Sequence, residues 1–302
     1  MDEVLDDQNP LVSIVVITYN SSKYVLETLE SAKDQTYQNI ELIISDDFSI
    51  DETVPICKKW VNENGGRFTA TTIIAPESNT GTAANCNRGV RESKGTWIKL
   101  IAGDDILHEN LIQSSMEFSL ENVNAKLILS KVFGFTGSKT NIVARWPIKA
   151  IPGDIKQQLR SVLKGGAIKS PGVMIKTELI LQLDGFNERF PFMEDDSFWV
   201  KCLQANERFY LNKDSLVFYR LHDSVSNSKK INPQFFESLK RFKFEIVFPL
   251  MRKERMYTSL FLMKARLKIL EYFITHQSIN PVFRFFLFQI LRIVVKAKKI
   301  LD

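Results

Sequence analysis

Two adjacent carboxylates, Asp104 and Asp105, are the first residues of this sequence whose type and position suggest chemistry. They follow the flexible Gly103 and a short apolar run, residues 98–102, that is typical of a buried strand. Ligands of open α/β sheets bind outside the carboxyl ends of the strands, so these carboxylates are placed where a metal ion or ligand would bind. The alternative is a polar turn in which Asp104 caps a helix over residues 107–118.

Two further acidic clusters occupy comparable positions. Asp46 and Asp47 follow a second apolar run, residues 40–45, and Glu194, Asp195 and Asp196 precede an apolar helical face over residues 197–205. The helix dipole favours a carboxylate at such a start, so one of these three acids is explained as a structural cap. Three carboxylates in succession exceed what capping requires.

Alternating strands and helices must position these acids. The runs 11–18, 40–45 and 71–75 are short and apolar, and helical segments follow them to about residues 34, 64 and 91, the second with capping-box spacing at Ser49 and Glu52. This is a βαβ pattern, which predicts an α/β fold with a Rossmann-like, mostly parallel sheet flanked by helices. Right-handed crossovers then bring Tyr19, Asp46 and Asp47 to the same sheet edge as Asp104 and Asp105.

Composition excludes several classes of function. The 302 residues are 44% hydrophobic and 25% charged, as in a globular protein. Residues 1–228 form an acidic body and residues 229–302 a basic tail, which argues against a nucleic-acid-binding core. No GxGxxG follows the first strand and no P-loop motif occurs, which weakens a dinucleotide oxidoreductase or P-loop interpretation. The acidic start lacks signal-peptide features and three scattered cysteines form no CxxC, so we expect a cytoplasmic protein with reduced thiols.

Seven segments in order resemble glycosyltransferase family 2. PLVSIVVITYN, SDDFSIDET, NTGTAANCNRG and GTWIKLIAGDD are similar to the nucleotide-binding half of its GT-A fold. SPGVMIKTELILQLDGFNERF, MEDDSFW and YRLHDSVSNS are similar to the acceptor-side, "ED" and closing histidine segments. The resemblance implies a catalytic domain over residues 1–228, with a nucleotide-binding half (10–108) and an acceptor-binding half (109–228), followed by a helical appendage over 229–302.

The resemblance implies an inverting, metal-dependent hexosyl- or N-acetylhexosaminyltransferase that uses a UDP-sugar and Mn²⁺ or Mg²⁺. The ion neutralises the leaving diphosphate, and oxygen donors such as carboxylates suit it. The resemblance assigns Asp105 to the metal, Asp104 to the ribose or the metal, and His222 to the diphosphate or the metal. Ala102 stands where the family usually has a further Asp, which predicts a loosely held ion.

The remaining site residues follow from the same resemblance. Asp47 corresponds to the carboxylate that accepts a hydrogen bond from the uracil N3–H. Tyr19 would stack on the base with Thr18 beside it, although plain packing explains Tyr19 equally well. Arg220 would contact the diphosphate. Cys86 occupies a position where the family often has an arginine, for which Arg88 is a substitute.

The "ED" register makes Asp195 the general base that takes the proton from the acceptor hydroxyl, with Glu194 as the second candidate. The expected acceptor is a growing bacterial cell-surface glycan on a lipid carrier. The competing hypothesis is a catalytically inactive relative that binds a nucleotide sugar and acts as a scaffold in glycan assembly.

The basic tail contains three predicted helical stretches, residues 233–251, 256–275 and 281–301. The last has a stripe of Arg and Lys beside a Phe-rich face. Such a helix suits the anionic inner face of a membrane, which predicts a peripheral protein on the cytoplasmic face. The equal alternative is packing on the catalytic domain or within a homodimer.

Overall fold

A mixed sheet of nine strands organises the part of the chain that the structure describes. The computed structural model describes residues 9–146, 153–165, 168–221 and 232–275. The strand order is β3-β2-β1-β4-β8-β6-β9-β5, with β7 paired to β6. Helices flank both faces, and the α/β fold class predicted from the sequence is confirmed.

The first half of the sheet is parallel. Its strands are β1 (Val12–Thr18), β2 (Ile40–Asp46), β3 (Thr71–Ile74) and β4 (Trp97–Ala102). The intervening helices are α1 (Val25–Lys33), α2 (Thr53–Asn64) and α3 (Thr82–Glu92). Thr18 pairs with Asp46, and Ile17 pairs with Ala102, so β1, β2 and β4 end together. This is the shared edge that the sequence predicted.

The second half of the sheet is mostly antiparallel. Its strands are β5 (Ile106–Leu107), β6 (Leu127–Phe135), β7 (Ile142–Trp146), β8 (Val173–Lys176) and β9 (Phe209–Arg220). Its helices are α4 (Leu111–Glu121), α5 (Ile155–Lys164), α6 (Thr177–Gln182) and α7 (Glu194–Gln204). β8 runs antiparallel to both β4 and β6, whereas β9 runs parallel to β6.

Two local expectations were wrong. Residues 106 and 107 form a strand against β9 rather than the start of a helix, and α4 begins at Leu111 with Asn110 as its N-cap. Asp104 is therefore no helix cap. The Ser49 hydroxyl donates to Asp46 at 2.6 Å instead of forming a capping box.

Alternate residues of β1 enter the two cores on opposite faces of the sheet. Val15 lies in one core, and Ile14 and Val16 lie in the other. Both faces are covered, which explains why the strand reads as a continuous apolar run.

The described part of the C-terminal tail packs on the preceding part of the chain. It comprises α8 (Pro233–Phe242), a π-helical turn (Lys243–Val247), α9 (Phe248–Lys253) and α10 (Tyr257–Thr275). Phe242 contacts Phe190 edge-on, with ring centroids 5.8 Å apart. Residues 281–301 lie outside the described residues. Within residues 9–146, 153–165, 168–221 and 232–275, none of the helices combines the length and the hydropathy of a membrane-spanning segment.

Candidate active site

Thr18 and Tyr19 lie at the carboxyl end of β1 and differ in exposure. Thr18 is buried, and its hydroxyl donates to Oδ1 of Asp46 at 2.7 Å. Tyr19 is 53% exposed, so its ring is available to a ligand. Asp46 also accepts a hydrogen bond from the Ser49 amide at 2.7 Å, which gives it a structural role in the turn after β2.

The Asp47 carboxylate is held by the loop that precedes α3. Its Oδ1 accepts hydrogen bonds from the Thr80 amide (3.0 Å) and hydroxyl (2.9 Å), and its Oδ2 accepts one from the Gly81 amide (2.8 Å). Arg88 forms an ion pair with Oδ1 at 2.8 Å. Burial raises the pKa of Asp47, but the hydrogen bonds from Arg88, Thr80 and Gly81 outweigh it and lower the pKa. The group is therefore a fixed, ionised acceptor.

The tight turn after β4 carries Asp104 and Asp105. A side chain at Gly103 would place its Cβ 2.8 Å from Cγ2 of Thr18, so the close approach of this turn to β1 requires glycine. Asp105 is fully buried, while Asp104 is half-buried. Burial and the neighbouring charge of Asp104 raise the pKa of Asp105 well above its usual range.

Arg220, at the end of β9, binds the turn that carries Asp104 and Asp105. Its amide donates to Oδ1 of Asp105 at 2.9 Å, and its Nε donates to the carbonyl of Asp104 at 2.7 Å. Its two terminal nitrogens donate to Gly137 and Glu27. The buried guanidinium thus contacts protein groups at all three nitrogens, which favours a positioning role over the predicted diphosphate contact. The predicted metal ligand His222 lies outside the described residues.

The acidic cluster forms the first turn of α7. The Ser170 hydroxyl donates to Oδ2 of Asp195, and the amide of Asp196 donates to Oδ1 at 2.6 Å. Burial, with the charge of Asp195, raises the pKa of Glu194 to about 7 and that of Asp196 to about 6. The cluster therefore carries fewer than three full charges near neutral pH.

One cavity of about 520 Å³ joins the two acidic groups. It is lined by Asp105 from the turn after β4 and by Glu194, Asp195 and Asp196 from α7. Thr82, the first residue of α3, and Ser170 also line it. The structure thus unites acids that are 90 residues apart in the sequence, in a space large enough for a sugar.

Among the described residues, the turn after β4 offers a divalent cation the carboxylates of Asp104 and Asp105. Oδ2 of Asp105 is buried and has no hydrogen-bond partner among the described residues, which is what a cation would satisfy. No group of three or more His, Cys, Asp and Glu side chains able to hold a metal occurs in residues 9–146, 153–165, 168–221 and 232–275. Asp105 and Asp104 are the residues that would hold the ion.

Two contributors to the site were not predicted from the sequence. Ser170 lies in a short 3-10 turn (Ser170–Gly172) before β8 and orients Asp195. Lys99 is fully buried in β4 and donates to the carbonyls of Pro171 and Val173, the latter at 3.2 Å. The only sequence signal for Lys99 is a lone cation within an apolar strand.

Comparison with known proteins identifies the family. The model of glycosyl transferase family 2 matches residues 13–170. The putative teichuronic acid biosynthesis glycosyltransferase TuaG of Bacillus subtilis is 27% identical over 73% of this chain and 83% of its own. The glycosyltransferase GlyG of Streptococcus pneumoniae is 31% identical over 43% of this chain and 42% of its own.

Solved structures agree on the fold. TarS 1–349 of S. aureus, in complex with UDP-GlcNAc, matches with a TM-score of 0.59 and 21% identity over 78% of this chain and 66% of that chain. A longer TarS structure matches with a TM-score of 0.58 and 20% identity, and this chain spans 44% of its length. The solved structures agree with a GT-A fold, the family match confirms the enzyme class predicted from the sequence, and the chain belongs to glycosyltransferase family 2.

Proposed function

We propose that this glycosyltransferase moves a sugar from a UDP-sugar to a hydroxyl of a growing bacterial surface glycan, with inversion at the anomeric carbon. The observation that carries the proposal is the cavity in which Asp105 and Asp195 meet. One wall comes from the nucleotide half of the sheet and the other from α7, so donor and acceptor groups can converge there.

The uracil-binding role belongs to Asp47. Its carboxylate is ionised and held rigid by Arg88, Thr80 and Gly81. An ionised carboxylate only accepts hydrogen bonds, so it pairs with the N3–H of uracil and not with the bare N3 of cytosine. Exposed Tyr19 provides a surface on which the base stacks. The UDP-GlcNAc complex of TarS supports a UDP-linked donor.

Asp195 acts as the general base. Ser170 and the Asp196 amide fix both of its oxygens, which leaves further lone pairs to receive the proton of the acceptor hydroxyl. The hydroxyl oxygen attacks the anomeric carbon while the bond from that carbon to the diphosphate oxygen breaks, and UDP leaves. Attack from the face opposite the leaving group inverts the configuration.

A divalent cation held by Asp105 and Asp104 would neutralise charge on the departing diphosphate. The Arg220 amide holds Oδ1 of Asp105, and its Nε holds the backbone carbonyl of Asp104. His222 as an additional ligand is part of the proposal and lies outside the described residues.

The acceptor is proposed as a lipid-linked saccharide. The name of the Bacillus subtilis relative, a putative teichuronic acid biosynthesis enzyme, supports a cell-envelope polymer. Contact with the inner membrane surface through residues 281–301, or a homodimer through the same segment, also remains a proposal.

Calorimetric titration with UDP, CDP and GDP in the presence of Mn²⁺ tests the donor assignment. The proposal expects UDP to bind at least about tenfold more tightly than CDP, the equivalent of one hydrogen bond to a charged group. Equal binding of the three nucleotides would contradict the role of Asp47.

A further inference from the structure

A small apolar recess of about 160 Å³ adjoins the cavity that contains the acidic cluster. Its walls include the side chains of Ile17, Leu100, Val173, Ile175, Phe186 and Trp199. The volume is several times the ~30 Å³ that one water molecule occupies in the liquid. Apolar cavities of this kind hold water poorly, so the recess favours an apolar group of a ligand.

The recess and the larger cavity share part of their lining. The residues common to both are Thr82, Ala102, Ser170, Pro171, Glu194 and Asp195. A ligand whose reactive carbon lies near Asp195 can therefore extend a substituent into the recess. The small side chains of Ala102 and Cys86 leave this space open.

Glu194 supplies one of the polar groups in the lining of the recess, beside Thr82, Ser170 and Asp195. Its Oε2 is buried and has no hydrogen-bond partner within the described part of the chain. A buried carboxyl oxygen without a partner is costly, so a ligand with a polar hydrogen at this point would be stabilised. Because burial raises the pKa of Glu194 to about 7, the group can accept from an N–H when ionised or donate to a carbonyl when protonated.

We propose that the recess binds the acetamido group of a 2-acetamido donor sugar, with its methyl against the apolar walls and its amide paired with Glu194. This inference rests on the proposed use of a UDP-sugar. A hydroxyl in place of the acetamido group would leave the walls unfilled, and a 6-deoxy methyl alone would leave Oε2 of Glu194 unpaired.

The test compares the affinities of the full chain for UDP, UDP-GlcNAc, UDP-glucose and UDP-6-deoxyglucose by calorimetry with Mn²⁺. Burial of one methyl and formation of one hydrogen bond together predict roughly tenfold tighter binding of UDP-GlcNAc than of UDP-glucose. UDP-6-deoxyglucose is expected to bind less tightly than UDP-GlcNAc.

Two substitutions address the two halves of the recess. Cys86→Met places a longer, flexible side chain in it, and Glu194→Met removes the carboxyl at similar length. Each is expected to reduce the tenfold preference to about threefold, because either the methyl site or the hydrogen bond is lost while the other contribution remains. Cys57→Met, at a buried cysteine of α2 in the opposite core, is the matched control and should keep the preference.

The outcomes are distinguishable. Equal binding of UDP-GlcNAc and UDP-glucose, an undiminished tenfold preference in both variants, or equal binding of UDP-6-deoxyglucose and UDP-GlcNAc overturns the acetamido assignment while the proposed function stands. Failure of UDP itself to bind overturns both. Thermal melting checks each variant first, and if Cys86→Met does not fold, Glu194→Met decides alone.

Discussion

The backbone amide of Arg220 donates a hydrogen bond to Oδ1 of Asp105 at 2.9 Å, which joins the end of β9 to the turn after β4. The guanidinium reinforces this link through the carbonyls of Asp104 and Gly137. Tyr24 and Phe135 lie 4.3 and 4.5 Å from it, measured to their ring centroids. One buried residue therefore fixes the turn that carries both carboxylates proposed to hold the metal, through its amide at Asp105 and its guanidinium at the Asp104 carbonyl.

Replacement of Arg220 should test this positioning role. Arg220→Lys cannot reproduce the planar set of donors, so buried acceptors lose partners and the unfolding free energy should fall by about 1–3 kcal/mol. Urea unfolding measures this, and UDP affinity with Mn²⁺ should fall in parallel. Arg189→Lys, at an exposed ion pair with Glu245, is the control and should change stability by less than about 0.5 kcal/mol. Equal effects of the two substitutions would refute the special role of Arg220.

Substitution of Asp47 should change base selectivity. Asp47→Asn removes the charge that accepts from the uracil N3–H, so UDP affinity should fall about 10- to 100-fold and the preference for UDP over CDP should shrink. Asp51→Asn is the matched control, because Asp51 binds the Ser22 amide and Thr53 in a neighbouring turn. Calorimetry that shows an unchanged UDP to CDP ratio in Asp47→Asn would exclude the proposed contact.

Glu194 should lower stability at neutral and higher pH. Burial raises its pKa from 4.5 to about 7 in the folded state, so the folded protein retains a proton that the unfolded chain releases between these values. Stability therefore falls as pH rises from about 4.5 to 7, and the loss is complete above that range. Glu194→Gln removes this titration.

We expect the free energy of unfolding of Glu194→Gln, relative to that of the unsubstituted protein, to increase by about 1–3 kcal/mol between pH 5 and pH 8. Sugar transfer by the variant should decline. Urea unfolding at both pH values measures the difference. A constant difference at pH 5 and pH 8 would contradict the raised pKa.

Lys99 makes stability rise with pH, which is the opposite of the effect of Glu194. Burial lowers its pKa from 10.5 to about 7, so the charged form is disfavoured in the folded protein. Below pH 7 the folded and the unfolded protein both hold the Lys99 proton, so the free-energy cost of burying this charge does not change with pH. Above pH 7 the folded state releases the proton first, so stability rises toward pH 10.5 by up to about 1.4 kcal/mol per pH unit.

Comparison with Lys99→Met isolates this contribution. Between pH 7 and pH 9 the free energy of unfolding of the unsubstituted protein should rise by about 1–2 kcal/mol more than that of the variant, as measured by urea unfolding. Cysteine ionisation affects both proteins equally and cancels in the comparison. Parallel stability profiles would show that Lys99 keeps its proton in the folded state.

The sequence predicted the first half of the fold well because each strand there is a continuous apolar run that ends in a polar turn. Thr18, Asp46 and Ala102 consequently lie at one edge, as expected for parallel strands. The second half was harder, because β6, β8 and β9 pair with partners far along the chain. The pairing of β5 with β9 joins Ile106 to Phe218, and no local pattern indicates it.

The candidate site shows the same division. Asp47, Asp105 and Asp195 could be located from motifs, but the groups that orient them could not. Ser170 reaches Asp195 only because the turn before β8 lies against α7. Arg220 was expected to face a ligand because it is a cation in a functional motif, whereas its contacts with residues 27, 104, 105 and 137 depend on tertiary structure.

The central claim is that Asp195 is the general base of a glycosyl transfer, and an Asp195→Asn variant tests it most directly. UDP release from a UDP-sugar with its acceptor present should fall about 10²- to 10⁴-fold, because the amide cannot take the hydroxyl proton. UDP affinity should stay within about twofold, since none of the nucleotide contacts involves this carboxylate. Unchanged transfer by Asp195→Asn, or no transfer by the unsubstituted protein with every common UDP-sugar, would contradict the account and favour a nucleotide-sugar-binding scaffold.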